Sequence, residues 1–165
     1  CRELVTVLFA KGIQNIAYLG SDMDQMVNRC RYQGYEEAYR KGKRKLNPDL
    51  VYTDLSSKAM VEKAVEELKK SGVECILCQD DYICDEVVRK LSHMGMRIQD
   101  QMKVASCHYS RILENYPVTV TSLKFNITEL GRRSCQVLLD MIHGKTVPDK
   151  TLLDYEIILK ESTKG

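Results

Sequence analysis

Residues able to do chemistry gather in one stretch, Cys75-Ile76-Leu77-Cys78-Gln79-Asp80-Asp81. Adjacent carboxylates directly after an apolar burst can hold a metal ion, accept hydrogen bonds from ligand hydroxyls, or cap a following helix. The helical pattern is expected to begin at Tyr82, which makes Asp81 the expected cap and Asp80 the carboxylate that only a ligand explains. Cys75 and Cys78 have the spacing with which zinc and thioredoxin-like sites begin. Within a strand, however, their odd offset sends the thiols to opposite faces, and no second pair follows. A structural role is therefore expected of both.

Arg29 and Arg31 fall early in another helical pattern. Being two residues apart they point to different sides, so at most one enters a cleft, where a guanidinium fork suits paired hydroxyls, a carboxylate or a phosphate. His93, His108 and His143 are dispersed, and no serine-hydrolase or phosphate-cradling motif is present. No assembled catalytic site is visible and no cofactor is called for. The one dense basic cluster, Arg40 to Lys45, sits at a helix end without interleaved aromatics, which fits a solvated helix end rather than a nucleic-acid platform.

These groups need elements to position them. Helical patterns stop at Gly12, Gly42, Gly72, Gly95 and Gly144, where left-handed helix closures are expected. The first three recur every thirty residues, about the length of one βα unit. Strands are expected at 14–20, 50–53, 73–78, 103–107, 118–123 and 152–159. Helices are expected over Met26–Lys41, from Ser56 or Ser57 through Leu68, over Tyr82–Met94, and from the cap Asn126 through Met141 toward Gly144. This alternation implies an α/β fold: a three-layer, doubly wound, mostly parallel sheet with helices on both faces. Asp80 and Asp81 then lie at the carboxyl end of the third strand, where ligands gather in such sheets.

At 165 residues the chain can bury a real core, and no apolar run approaches the roughly 20 residues needed to span a bilayer. A net charge of +2 is too weak to predict nucleic-acid binding. Seven cysteines, an odd number set mostly within apolar runs, fit free thiols in a reducing cytoplasm better than a disulfide framework. The first residues lack both an initiator Met and a signal-peptide layout, so the sequence reads as part of a longer protein.

Several ordered motifs add up to a resemblance. Ile16-Ala17-Tyr18-Leu19-Gly20, Arg31-x-x-Gly34-Tyr35-x-x-Ala38, Cys78-x-x-Asp81, Leu91-x-x-x-Gly95-Met96, the strand through Val120-Thr121-Ser122-Leu123, Leu130-Gly131, and Leu159-Lys160-Glu161-Ser162-Thr163 follow one another over nearly the whole chain. The set resembles the effector-binding domain of LacI/GalR transcriptional repressors, which is similar to type I periplasmic sugar-binding proteins. The resemblance implies that residues 1–165 form the second lobe of a two-lobed domain, with the 126–144 helix belonging to the other lobe. It implies a homodimeric cytoplasmic regulator that binds a sugar, sugar phosphate or related metabolite and contacts DNA only through an upstream helix-turn-helix, without membrane or enzymatic activity. Arg31 and Asp81 carry over as ligand contacts, with Asp80 cleft-facing beside them and Leu55 walling the pocket. Where the family has an Asp after the fourth strand this chain has His108, which points to an acidic or phosphorylated effector or to loss of ordinary sugar binding. Phe125 stands where a polar residue is frequent and can stack on a sugar face. Two rivals remain, a transporter's solute-binding protein and a metal-using enzyme domain built on Asp80 and Asp81.

Overall fold

The computed structural model describes residues 1–164. Helix α1 (Arg2–Ala10) leads into β1 (Ile16–Leu19), α2 (Met26–Lys41), β2 (Val51–Tyr52), α3 (Lys58–Leu68), β3 (Cys75–Cys78), α4 (Asp81–His93), β4 (Lys103–Ser106), β5 (Thr121–Phe125), α5 (Ile127–Ile142) and β6 (Tyr155–Ile158). The six strands form one sheet in the order β2-β1-β3-β4-β5-β6, parallel except for β6, which runs antiparallel to β5. This is the doubly wound architecture that the alternation implies. The chain turns one way from β1 and the other way from β3, so the topological switch point lies between those neighbouring strands.

Strand parity divides the core. Ile16, Tyr18, Cys75, Leu77 and Ala105 face α1 and α2, where Leu4, Leu8, Tyr35 and Tyr39 cover them. Ala17, Leu19, Ile76, Cys78 and Val104 face α3 and α4, covered by Val61, Val65, Val87 and Leu91. Cys75 and Cys78 thus point to opposite faces, as their spacing requires, and the described cysteines are all free thiols. Each fully buried aliphatic side chain contributes roughly 1.5–3 kcal/mol by leaving water, so the two covered faces hold the sheet between its two helix pairs.

Some boundaries depart from the sequence pattern for local reasons. Leu50 belongs to a short 3-10 turn, Pro48–Leu50, closed by the Asn47 side chain accepting from the Asp49 N–H at 3.1 Å, so β2 shrinks to two residues. Residues 118–120 do not start β5. There Thr119 donates its N–H to the Glu161 carboxylate at 3.1 Å and accepts from the Ser162 N–H at 3.0 Å. The wholly buried Ser162 hydroxyl extends this clamp, accepting from Thr121 N–H at 2.9 Å and donating to Val104 C=O at 2.6 Å. The closing Ser162-Thr163 motif is therefore a side-chain substitute for the ladder between β4 and β5. At the end of α2, Gly42 keeps a right-handed φ of −73° and the left-handed turn falls on Lys43 at φ 53°, one residue later than expected.

Helix α5 stands apart. Asn126 caps it by accepting from the Glu129 N–H at 3.0 Å, as its capping pattern foretells. None of its residues is buried, and Ile127, Leu138 and Ile142 are 63%, 58% and 68% exposed. An amphipathic helix with its apolar stripe in water lacks the surface it was built to cover.

Candidate functional site

The site forms at the carboxyl ends of β1, β3 and β4, around the switch point. Asp80, not Asp81, caps α4: its backbone is extended at φ −147°, and its side chain accepts from Ile83 N–H at 2.9 Å. The expected assignment of the two acids is thereby corrected by one residue. Asp81 is the first residue of the helix and is turned inward, its side chain 7% exposed. His108 Nδ1 lies 2.9 Å from Asp81 Oδ1. Burial alone would raise the Asp81 carboxyl, but hydrogen bonds from the Ser110 hydroxyl and from His108 outweigh it and hold the group below the usual carboxylate range. An ionised carboxylate accepts only, so His108 presents Nδ1–H to it and leaves Nε2 for other partners.

At the switch point sits Gln79, a fully buried residue that sequence reasoning missed. Its Oε1 accepts from the Tyr18 hydroxyl and the Ser21 N–H, both at 3.2 Å, and its Nε2 donates to Ser21 C=O at 3.1 Å. One amide thus fixes the loop after β1 to the end of β3, across the switch point. Gly20 makes room for it, since a Cβ there would stand 2.5 Å from Gln79 Oε1 and 2.7 Å from Tyr18 Cε1. Buried Asn28 holds the same loop, donating to Ser21 and Asp22 carbonyls at 3.0 Å. The only signal in the sequence was a lone amide directly after an apolar run.

The two arginines separate. Exposed Arg29 fastens the loop by donating to the Met23 carbonyl at 2.9 Å. Arg31 is half-buried and, among the described residues, has no ion pair or hydrogen bond. Burial pushes the Cys107 thiol up to about 11, with Arg31 opposing the rise and Asp80 adding to it. Burial likewise raises the Tyr18 phenol, again against Arg31 and with Asp80. Arg31 and Asp80 therefore both stand within electrostatic reach of the same two groups at the strand ends.

Phe125, the last residue of β5, stacks on His108 with centroids 6.0 Å apart and planes at 25°, and meets Tyr155 of β6 at 6.1 Å. Beside it lies an open groove of about 880 Å³ lined by Tyr109, Arg111, Phe125, Asn126 and Tyr155 among others. Leu55 is 6% exposed and packs in the α3/α4 core while its N–H donates to Gly20 C=O at 3.1 Å, so it supports the rim from beneath rather than walling an open pocket. Among the described residues no group of three or more His, Cys, Asp or Glu stands where it could hold a metal ion. No helix among them is long and apolar enough to cross a membrane.

The doubly wound, mostly parallel sheet is the architecture of the periplasmic binding protein-like domain family, to which the chain belongs, the family model matching residues 5–163. More particularly, its relatives are LacI/GalR-type transcriptional regulators. HTH-type transcriptional regulator RegA of Clostridium saccharobutylicum is 24% identical over 165 residues, covering 98% of this chain and 50% of that protein. The uncharacterised HTH-type regulator YvdE of Bacillus subtilis is 27% identical over 154 residues, covering 92% and 48%. The chain thus spans about half the length of these relatives. Among solved structures, transcription regulator CcpA of Lactococcus lactis superposes with a TM-score of 0.89 at 22% identity, covering 99% of this chain and 60% of that one. A CelR–cellobiose complex gives 0.86 at 24% identity, covering 98% and 50%. At these identities the structural likeness shows the fold.

Proposed function

We propose that the chain is the effector-sensing lobe of a LacI-type transcriptional regulator. A small sugar or sugar-like molecule occupies the crevice at the β1/β3 switch point, and its binding alters how a helix-turn-helix segment elsewhere in the protein holds DNA. The observation that supports this reading is the cluster of polar groups at the carboxyl ends of β1, β3 and β4: Gln79 tying down the loop after β1, Asp80 capping α4, and His108 paired with Asp81 beside the Phe125 ring. Cellobiose in the CelR complex supports a carbohydrate-type ligand in this fold.

The apolar stripe of α5 supports a second lobe. Leaving β5 and returning through β6, α5 is placed to pack into that lobe, so closure around an effector would be felt at Phe125 and Tyr155, where the two connections pair in register. The protein would then act as a cytoplasmic homodimer on a two-fold operator. To test the reading, the full-length protein is titrated with a panel of sugars while its binding to a fluorescent operator fragment is followed by anisotropy. A sugar that changes operator affinity in the wild type, and does so at higher concentration in Arg31→Ala, supports it. Equal response of both proteins removes Arg31 from the site.

A further inference from the structure

Two thiols that the site does not use share one surface groove. Of the seven cysteines, Cys75, Cys78, Cys84 and Cys107 are buried and closed to reagents. Cys1 is half-buried and Cys30 is exposed, and both line an open groove of about 300 Å³ together with Glu3, Gly34, Glu37 and Tyr155. Cys135, also exposed, stands on α5 and takes no part in this groove.

The start of α1 is pressed onto α2 at this point. Cys30 and Gly34 lie one turn apart on the same face of α2, with about 5–6 Å between their Cβ positions. A Cβ on Gly34 would stand 3.1 Å from Cys1 Cβ and 3.0 Å from the Arg2 backbone nitrogen, so Cys1 occupies the space that a side chain at position 34 would fill. Its place is fixed from both sides. The Arg2 guanidinium donates to the Glu37 carboxylate at 3.2 Å, and the Cys1 carbonyl accepts from Val5 N–H at 3.1 Å. The bare backbone of Gly34 thus brings Cys1 to within about one helical turn of Cys30.

We propose that Cys1 and Cys30 form a reversible disulfide, a redox-sensitive clip between α1 and α2. A disulfide needs a Cβ–Cβ separation of roughly 3.8 Å. Cys30 is free to turn on the helix surface and Cys1 precedes the first helical residue, so the approach is a local one. With a small disulfide RS–SR as oxidant, the Cys30 thiolate attacks one sulfur, forms Cys30–S–S–R and expels RS⁻. The Cys1 thiolate then attacks the Cys30 sulfur, which forms the Cys1–Cys30 bond and expels the second RS⁻. The two thiols lose two electrons and two protons, and RS–SR becomes two RSH. Open to the groove, the bond is as accessible to reductants as to oxidants, unlike a buried structural disulfide. Closed, it ties the two helices together beside Tyr155, the register partner of Phe125.

The test uses the full-length protein equilibrated with mixtures of reduced and oxidised glutathione, natively and in denaturing urea. Cleavage at glutamate and peptide mass spectrometry then measure the fraction in which the Cys1 and Cys30 peptides are joined. The equilibrium constant for joining is expected to be on the order of tenfold or more higher in the native protein than in urea. By linkage the same factor stabilises the joined form, so its melting temperature should rise by about 3 °C or more. Gly34→Ala keeps both thiols but places a methyl group against Cys1, and should lower the joined fraction severalfold, with the melting temperature of its reduced form as the folding control. Cys135→Ser should leave joining unchanged. Separate glutathione adducts on Cys1 and Cys30 without a joined peptide, or joining no more favourable in the native protein than in urea, would overturn the clip. The effector-lobe reading does not enter this test and stands or falls separately.

Discussion

His108 Nδ1 and Asp81 Oδ1, 27 positions apart in the chain, meet at 2.9 Å and join the end of β4 to the first residue of α4. The pair gives Asp81 a defined acid response. Its carboxyl is held below its unfolded value of about 3.9, so the stability it contributes is fully present above that value and is lost as pH falls through the lower folded value. Asp81→Asn should flatten part of the acid limb of the stability–pH curve measured by urea unfolding, and should destabilise the protein at neutral pH by roughly 1–3 kcal/mol. An unchanged acid limb would remove Asp81 from the network.

Gly20 and Gln79 should behave as a pair. Gln79→Ala leaves the buried Tyr18 hydroxyl and the Ser21 backbone groups without their partner, for a loss of about 1–3 kcal/mol. Gly20→Ala pushes a methyl group into the same amide and into the Tyr18 ring, with a comparable loss. The double variant should be less destabilised than the sum of the singles, because removing the amide relieves one of the two clashes. Additive losses in denaturant unfolding would show that the contact is not shared.

The α5 stripe makes opposite predictions in two contexts. In residues 1–165 alone, Leu138→Lys should change stability by no more than about 0.5 kcal/mol, because Leu138 is 58% exposed, and should reduce binding of a hydrophobic dye. In the full-length protein the same change should cost roughly 2 kcal/mol or more, since it would bury a charge in the contact proposed with the other lobe. Thermal melts of both proteins decide this.

Thiol accessibility should follow burial. Cys30 and Cys135 are exposed, whereas Cys75, Cys78, Cys84 and Cys107 are buried. Burial also keeps the Cys75, Cys78 and Cys107 thiols protonated by raising their pKa. Iodoacetamide labelling read by peptide mass spectrometry should modify Cys30 and Cys135 in the native state. The four buried thiols should react only after denaturant.

Periodicity and caps made most of the scaffold legible. Met26–Lys41 is helical over its expected span, although of the set recurring every fourth residue Met26 and Cys30 are exposed, and the face that covers β1 is Tyr35, Ala38 and Tyr39. The two-faced fate of Cys75 and Cys78 followed from strand parity alone. The site was less legible. Two adjacent aspartates offer equivalent caps, and only the extended backbone at Asp80 decides between them. The partnership of Asp81 with His108 and the bridge from Gln79 to Ser21 are contacts between distant segments, fixed by sheet order and invisible to any local pattern. Likewise, the shortened start of β5 came from a serine and a glutamate some forty residues downstream.

The excursion through α5 leaves and rejoins the sheet at adjacent points, because Phe125 and Tyr155 are register partners at the end of an antiparallel ladder. That geometry is what a tight reverse turn needs. Residues 126–154 could therefore be excised and replaced by Asn-Gly, joining β5 directly to β6 as a hairpin. The product would be a smaller lobe without the exposed apolar stripe of α5, in which the Asp81–His108 pair could be studied, and redesigned, on its own.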